Sequence, residues 1–265
     1  MSFSIVVPVR NEVDLIPKAL PSYCAVSPGE LIVCVDKPAP EDVVNVVGKV
    51  AKACGFEGNT RIVEVERRKD YAFHQAWVRR KGFLESRYDK ILTTDIDVVI
   101  NRNVLKAINL VGKNNVGLVS CSKNYPLKGF QKIWRSITRE IVRMIYPIRF
   151  TGLYALWRPY WLDTEDEGIR SMQGTSQGSF GIIRTGEDTY LRDHMIKRHK
   201  IICLRDIGGK VLTFNNADLP RVQFESGRYF AANGYGLARI LSKVFLYFQI
   251  HVLRGWLYER RMRSR

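Results

Sequence analysis

Residues 90–100 read KILTTDIDVVI, which sets Asp95 and Asp97 between two apolar runs. Lys90 to Thr94 predicts a buried strand that runs straight into the two acids. Carboxylates at i and i+2 on an extended turn can share one hard cation, or one can hold the cation while the other orients a ribose. A lone Asp-x-Asp recurs by chance, so its weight comes from what surrounds it. Upstream, Ser4 to Val9 (SIVVPV) is a β-branched strand ended by Arg10-Asn11-Glu12. Leu31 to Val35 (LIVCV) is a second strand, stopped by Asp36-Lys37-Pro38, and Arg61 to Val65 is a third. Helices are predicted between them over Val13 to Val26, Glu41 to Cys54 and Tyr71 to Ser86. Beyond the acids come a short helix over Val104 to Val111 and a fifth strand over Val116 to Cys121. The strands are apolar throughout rather than alternating, which predicts a largely parallel α/β sheet covered on both faces. Ligands of such sheets sit beyond the carboxyl ends of the strands. Asn11-Glu12, Asp36 and the Asp95/Asp97 pair all fall there.

After Cys121 the pattern loosens. Phe130 to Tyr146 reads as an Arg- and Ile-rich helix, Tyr154 to Trp161 as an aromatic run, and Gly174 to Gly181 as a flexible Gly/Ser loop. Glu187 to Lys200 reads as a helix whose two leading acids suit the positive end of its dipole. Ile201 to Leu204 resembles a short strand. His74, His194 and His199 lack a pairing that suggests metal ligands.

Taken together, these residues resemble a family 2 glycosyltransferase with the GT-A fold. The resemblance rests on Ile5 to Glu12, Asp36, the Arg79-Arg80-x-Gly82 stretch, Asp95-x-Asp97 and Gly186-Glu187-Asp188, and covers roughly residues 3–230. It implies that Pro8, Arg10 and Glu12 shape the base and ribose pocket of a nucleotide-sugar donor. Asp36 would hold the base or a ribose hydroxyl, and Arg79 would face the nucleotide. Asp95 would bind ribose or sugar hydroxyls and stand beside Asp97 as a metal ligand, with Asp97 binding Mn²⁺ or Mg²⁺ on the diphosphate. Asp188 would be the general base, with Glu187 beside it. Gln223 and Arg228 loosely match a later element that contacts phosphate or acceptor, with a structural salt bridge the other reading of Arg228. The spacing is not that of processive synthases. One displacement assisted by one base would invert the anomeric configuration. Two departures from the family bear on the nucleotide. The second strand ends in Asp36-Lys37-Pro38 rather than in two acids, and Tyr71, Phe73 and His74 stand where glycines are usual.

The net charge is +16 over 265 residues, a surface that attracts polyanions such as anionic headgroups and phosphorylated substrates. The sequence divides into a catalytic domain over 1–230, with a nucleotide-binding half (1–121) and an acceptor-binding half (122–230), and a basic amphipathic helical tail over 231–265. The tail mixes Arg239, Lys243, Arg254, Arg260, Arg261, Arg263 and Arg265 with aromatic and aliphatic residues. Its apolar stretch is shorter than the about 18 residues a membrane span requires. It suits a helix lying in a headgroup layer, with a glycan or polyprenyl-phosphate acceptor nearby; packing on the catalytic domain is the other reading. Five cysteines without a C-x-x-C pair read as reduced, and the chain opens on a strand rather than a signal peptide. Both point to a cytoplasmic location, peripheral on the membrane face if the tail binds lipid. Two other classes remain open on the residues alone. A sugar nucleotidyltransferase would begin with a glycine-rich loop, absent after the first strand. A non-enzymatic nucleic-acid-binding protein would have no use for acid pairs at strand ends, so no nucleic-acid partner is expected.

Overall fold

The computed structural model describes residues 2–66, 74–124, 133–134, 141, 152–163, 177–178, 181–182, 195–212, 219–232, 234–247 and 249–263. A strand covered on both faces needs apolar side chains at odd and even positions, and β1 (Ser4–Val9) has them. Ile5, Val7 and Val9 enter one buried cluster, and Val6 enters the other. Each such Val, Ile or Leu withdrawn from water contributes about 1.5–3 kcal/mol. The first cluster is closed by α1 (Ile16–Cys24), α2 (Asp42–Ala53) and α4 (Leu105–Leu110). In α2 the buried Val43, Val47 and Ala51 repeat every four residues, one helical face. The second cluster is closed by α3 (His74–Glu85) through Trp77, Val78 and Phe83, the last edge-on to Trp161 at 4.9 Å.

Gly82 lets α3 lie this close. A Cβ there would collide with Val6 Cγ1 and Cys34 Sγ, so only glycine allows the helix to seat on β1 and β2.

The remaining strands are β2 (Glu30–Asp36), β3 (Thr60–Val65), β4 (Lys90–Thr93), β5 (Val98–Ile100), β6 (Val116–Asn124), β7 (Tyr154–Trp157), β8 (Gln177–Gly178), β9 (Gly181–Ile182) and β10 (Lys200–Val211). The main sheet has the order β3-β2-β1-β4-β7-β6-β10-β5. β3, β2, β1 and β4 run parallel, as do β6 and β10. β7 lies antiparallel between β4 and β6, and β5 lies antiparallel on β10. The sheet is largely parallel, as expected, with two reversals. Because β7 is antiparallel to both neighbours, β4 and β6 end at the same edge, and β7 begins there.

The aromatic run Tyr154 to Trp161 thus contains a strand. Its stability comes from two partners far off in the sequence, which no local period reveals. β6 runs three residues past Cys121, and β10 is longer at both ends than Ile201 to Leu204. At the end of the Gly/Ser-rich stretch, β8 and β9 form a short antiparallel pair. The helix expected over Phe130 to Tyr146 lies outside the described residues, apart from three positions.

The C-terminal part forms α5 (Leu219–Ala232), α6 (Leu237–Tyr247) and α7 (Ile250–Arg263). Phe230, Ile240, Val252 and Trp256 make a small core of their own. α5 runs across the 230/231 division and packs on α7. All five cysteines are free, with Cys24, Cys34 and Cys121 buried.

Candidate active site

The pleat that seats β1 and β4 also aims their ends at one spot. The Thr93 hydroxyl donates to the Val6 carbonyl at 2.9 Å, tying β4 to β1 just before the chain turns at Asp95. The turn is closed by the Val98 amide donating to the Asp95 carbonyl at 3.1 Å. It is held from beneath by α1. The buried Tyr23 hydroxyl donates to the Val98 carbonyl at 2.8 Å and reaches the Asp95 carbonyl at 3.1 Å. The Ser22 hydroxyl accepts from the Ile100 amide at 3.1 Å, and the Leu212 amide, just after β10, donates to the Asp97 carbonyl at 2.7 Å.

The two carboxylates of this turn are treated oppositely. Arg79, three residues before Gly82 on α3, places its guanidinium 2.5 Å from Asp95 Oδ1. Lys123, near the end of β6, places its ammonium 2.6 Å from Asp95 Oδ2. Both cationic side chains are only 6% exposed. Burial by itself would raise the Asp95 carboxyl, but the Lys123 and Arg79 charges outweigh it and hold Asp95 down at about 2. Asp97 is shifted upward, first by burial and then by the neighbouring Asp95 charge. Its Oδ1 is buried and has no hydrogen-bond partner among the described residues. A buried carboxylate oxygen without a hydrogen bond is costly unless a ligand supplies the contact, and a hard divalent ion fits Asp97 in that place. Such an ion needs only one or two protein carboxylates when a diphosphate supplies further oxygens. Among the described residues, no three His, Cys, Asp or Glu side chains form a cage of their own.

Around this pair stand the other strand-end groups. Glu12 folds back on the turn after β1, its Oε2 accepting from the Arg10 and Asn11 amides at 2.8 and 2.9 Å. The Glu12 charge also reaches Asp97. Arg10 Nε approaches Asp36 Oδ2 to 3.9 Å, joining the ends of β1 and β2. Pro8 lies within β1, opposite Cys34. Lys37 turns to Glu64 at 2.9 Å.

Pro8, Arg10, Glu12, Asp36, Arg79, Asp95 and Asp97 are therefore gathered along one sheet edge. Glu187 and Asp188 lie outside the described residues. Gln223 and Arg228 sit on α5. There Arg228 Nε pairs with the fully buried Glu259 at 3.0 Å, which ties α5 to α7, and Nη1 reaches Glu225 of its own helix at 3.4 Å. Lys123 and Tyr23 were not among the sequence candidates. Lys123 could have been found by the strand-end rule that found Asp36 had β6 been read to its end. Tyr23 carries no signal, because its role depends on α1 packing under the turn.

A mainly parallel α/β sheet with an Asp-x-Asp turn at its carboxyl edge is the architecture of GT-A glycosyltransferases. The likeness to solved structures is one of fold. A mannosyltransferase, PcManGT from Pyrobaculum calidifontis, solved with GDP-Man and Mn²⁺, superposes with a TM-score of 0.60 at 17% identity over 87% of this chain. TarS residues 1–349 from S. aureus, solved with UDP, superposes with a TM-score of 0.57 at 17% identity over 92% of this chain. This chain covers 62% of the PcManGT chain and 72% of the TarS chain. No curated protein matches it in sequence. The chain belongs to glycosyl transferase family 2, whose match covers residues 4–174. That span includes every strand-end residue above and stops short of Gly186-Glu187-Asp188.

Proposed function

We propose that this protein moves a sugar from a UDP- or GDP-sugar to an acceptor hydroxyl or lipid phosphate, with a divalent ion and with inversion at the anomeric carbon. The observation that carries the reading is the buried, unpartnered Asp97 Oδ1, two residues from an Asp95 already neutralised by Arg79 and Lys123. Asp97 would hold Mn²⁺ or Mg²⁺. When bound, the ion neutralises charge on the leaving nucleoside diphosphate. Asp95, fixed by two cations, presents its edge to ribose or sugar hydroxyls. Asp36, Arg10, Glu12 and Pro8 line the side on which β1 and β2 end and would receive the base. Asp188, with Glu187 beside it, would take the proton of an acceptor hydroxyl as its oxygen attacks the anomeric carbon. The bond from that carbon to the diphosphate oxygen breaks on the opposite face, which inverts the configuration.

The test is a hydrolysis and binding screen across UDP- and GDP-sugars, with and without Mn²⁺ or Mg²⁺. Metal-dependent nucleotide binding and donor turnover are expected. Salt-sensitive binding of single-stranded DNA without metal, and no nucleotide binding, would favour a nucleic-acid-binding protein instead.

The helices α6 and α7 support a peripheral membrane site for this activity. Leu237, Phe245, Ile250, Leu257 and Tyr258 are exposed, and the last turn of α7 carries Arg260, Arg261 and Arg263. No helix among the described residues is long and apolar enough to cross a membrane. Exposed apolar groups beside arginines suit the headgroup layer of an anionic bilayer, where a polyprenyl-phosphate acceptor would lie.

A further inference from the structure

We propose that Lys123 closes Asp95 to divalent cations, so that the ion enters this site together with a nucleoside diphosphate rather than ahead of it. The inference rests on the metal-dependent transfer described above and assigns the order in which that site fills.

Three observations carry it. First, each Asp95 oxygen already faces a cation, Oδ1 the Arg79 guanidinium at 2.5 Å and Oδ2 the Lys123 ammonium at 2.6 Å. Two buried positive charges repel a third cation at that carboxylate and attract phosphate oxygens instead. Second, the backbone at Gly152, just before β7, shuts over the pair. A Cβ at Gly152 would stand 2.7 Å from Asp95 Oδ2 and 2.8 Å from Lys123 Nζ. With the Lys123 ammonium in place, a hydrated ion has no room on that side. Third, Asp97 Oδ1 is buried and has no hydrogen-bond partner among the described residues. A single carboxylate is a weak site for Mn²⁺ or Mg²⁺, which needs about six oxygens. The diphosphate supplies the missing ones. Lys123 is thus a positioning residue: it acts through Asp95 to decide which carboxylate meets the ion.

Mn²⁺ binding, followed by electron paramagnetic resonance and calorimetry, tests this on the full chain with and without saturating UDP or GDP. The wild type should bind Mn²⁺ at least about tenfold more tightly when nucleotide is present. Lys123→Met should strengthen nucleotide-free Mn²⁺ binding by about tenfold or more, because Asp95 Oδ2 becomes a second ligand. Lys123→Ala should do the same, since it also removes the ammonium and leaves the space beside Asp95 Oδ2 open. Lys123→Arg, which keeps the charge, should show no gain. Thermal melts establish that each variant is folded, and Lys123→Ala decides the matter if Lys123→Met is not. Equal Mn²⁺ affinity with and without nucleotide in the wild type overturns the proposal. So does the absence of any gain in both Lys123→Met and Lys123→Ala while nucleotide-dependent Mn²⁺ binding persists, a result that leaves the transferase reading standing. If the wild type binds no nucleotide under any condition, the transferase reading itself falls, and this proposal with it.

Discussion

The Tyr23 hydroxyl and the Asp95 carbonyl lie 72 residues apart in the chain and 3.1 Å apart in space. The same hydroxyl donates to Val98 at 2.8 Å, so one buried phenol on α1 braces both ends of the turn that carries the two acids. Tyr23→Phe keeps the ring and its packing and removes only the hydroxyl. The lost bond should cost about 1–2 kcal/mol, read as a lower urea midpoint at unchanged slope. Mn²⁺-dependent nucleotide affinity should fall as well, because the turn loses its brace. An unchanged nucleotide affinity would show that the turn holds its shape without Tyr23.

Asp97 carries the metal assignment, so Asp97→Ala should abolish Mn²⁺-dependent binding of UDP or GDP. The pH dependence has a definite sign. A cation needs the ionised carboxylate, and burial first, then the Asp95 charge, raises the Asp97 carboxyl above its usual range. Nucleotide binding in Mn²⁺ should therefore weaken on acidification at a pH above the roughly 4 at which an ordinary Asp would protonate. In Asp95→Asn the neighbouring negative charge is gone, and the midpoint of that loss should move to lower pH. Equal nucleotide affinity in wild type and Asp97→Ala would end the assignment.

Asp95 is shifted the other way, and its shift links to stability. Its folded carboxyl titrates at about 2, below the value in an unfolded chain. Its contribution is thus fully present above about pH 4 and is lost as pH falls from about 4 toward 2. Denaturant titrations across that window should show a steeper loss for the wild type than for Asp95→Asn. At neutral pH the variant should be the weaker protein, since Arg79 and Lys123 would keep buried charges without their carboxylate. Parallel stability–pH curves would contradict this.

Gly82 fixes the depth of α3 and, through it, the position of Arg79. A methyl added there meets Val6 and Cys34 inside a packed cluster. Gly82→Ala should destabilise the chain by about 1–3 kcal/mol, as overpacking usually does. It should also weaken nucleotide binding, since Arg79 moves with its helix. A variant as stable as wild type would mean that α3 can slide at no cost.

The half of the fold before Cys121 was legible because its elements are built locally, except β5, which pairs with the distant β10. β1 and β2 are continuous apolar runs, α2 repeats Val43, Val47 and Ala51, and the acids fall where such strands stop. β7 was not legible, since its strand character comes from pairing Leu156 with Ile91 on one side and Leu118 on the other. The same reversal brings Gly152 and the end of β6 to Asp95, so Lys123 was missed together with β7. Arg228 shows a different limit. Its sequence surroundings allow a phosphate contact, but Glu259, which meets it at 3.0 Å, comes from a helix 31 residues on. Spacing does not tell which carboxylate an arginine will find.

The membrane reading of α6 and α7 is best tested on side chains that support nothing else. Removing the helices would expose Phe230 and strip Glu259 from Arg228, so a truncation would mix folding with lipid binding. Phe245 is 65% exposed and Leu257 is 53% exposed. Replacing both with Asp leaves the small core of Phe230, Ile240, Val252 and Trp256 untouched, and the melting temperature should not move. Burying an apolar side chain in the headgroup layer contributes about 25 cal/mol per Å², and an acid there meets anionic lipid with the wrong sign. The double variant should therefore lose co-sedimentation with vesicles of anionic phospholipid while binding nucleotide as before. The wild type should itself come off those vesicles as salt is raised, because its arginines act through a screened field. If the double variant sediments with the vesicles as fully as the wild type, these helices do not face lipid, and their exposed apolar groups serve another contact.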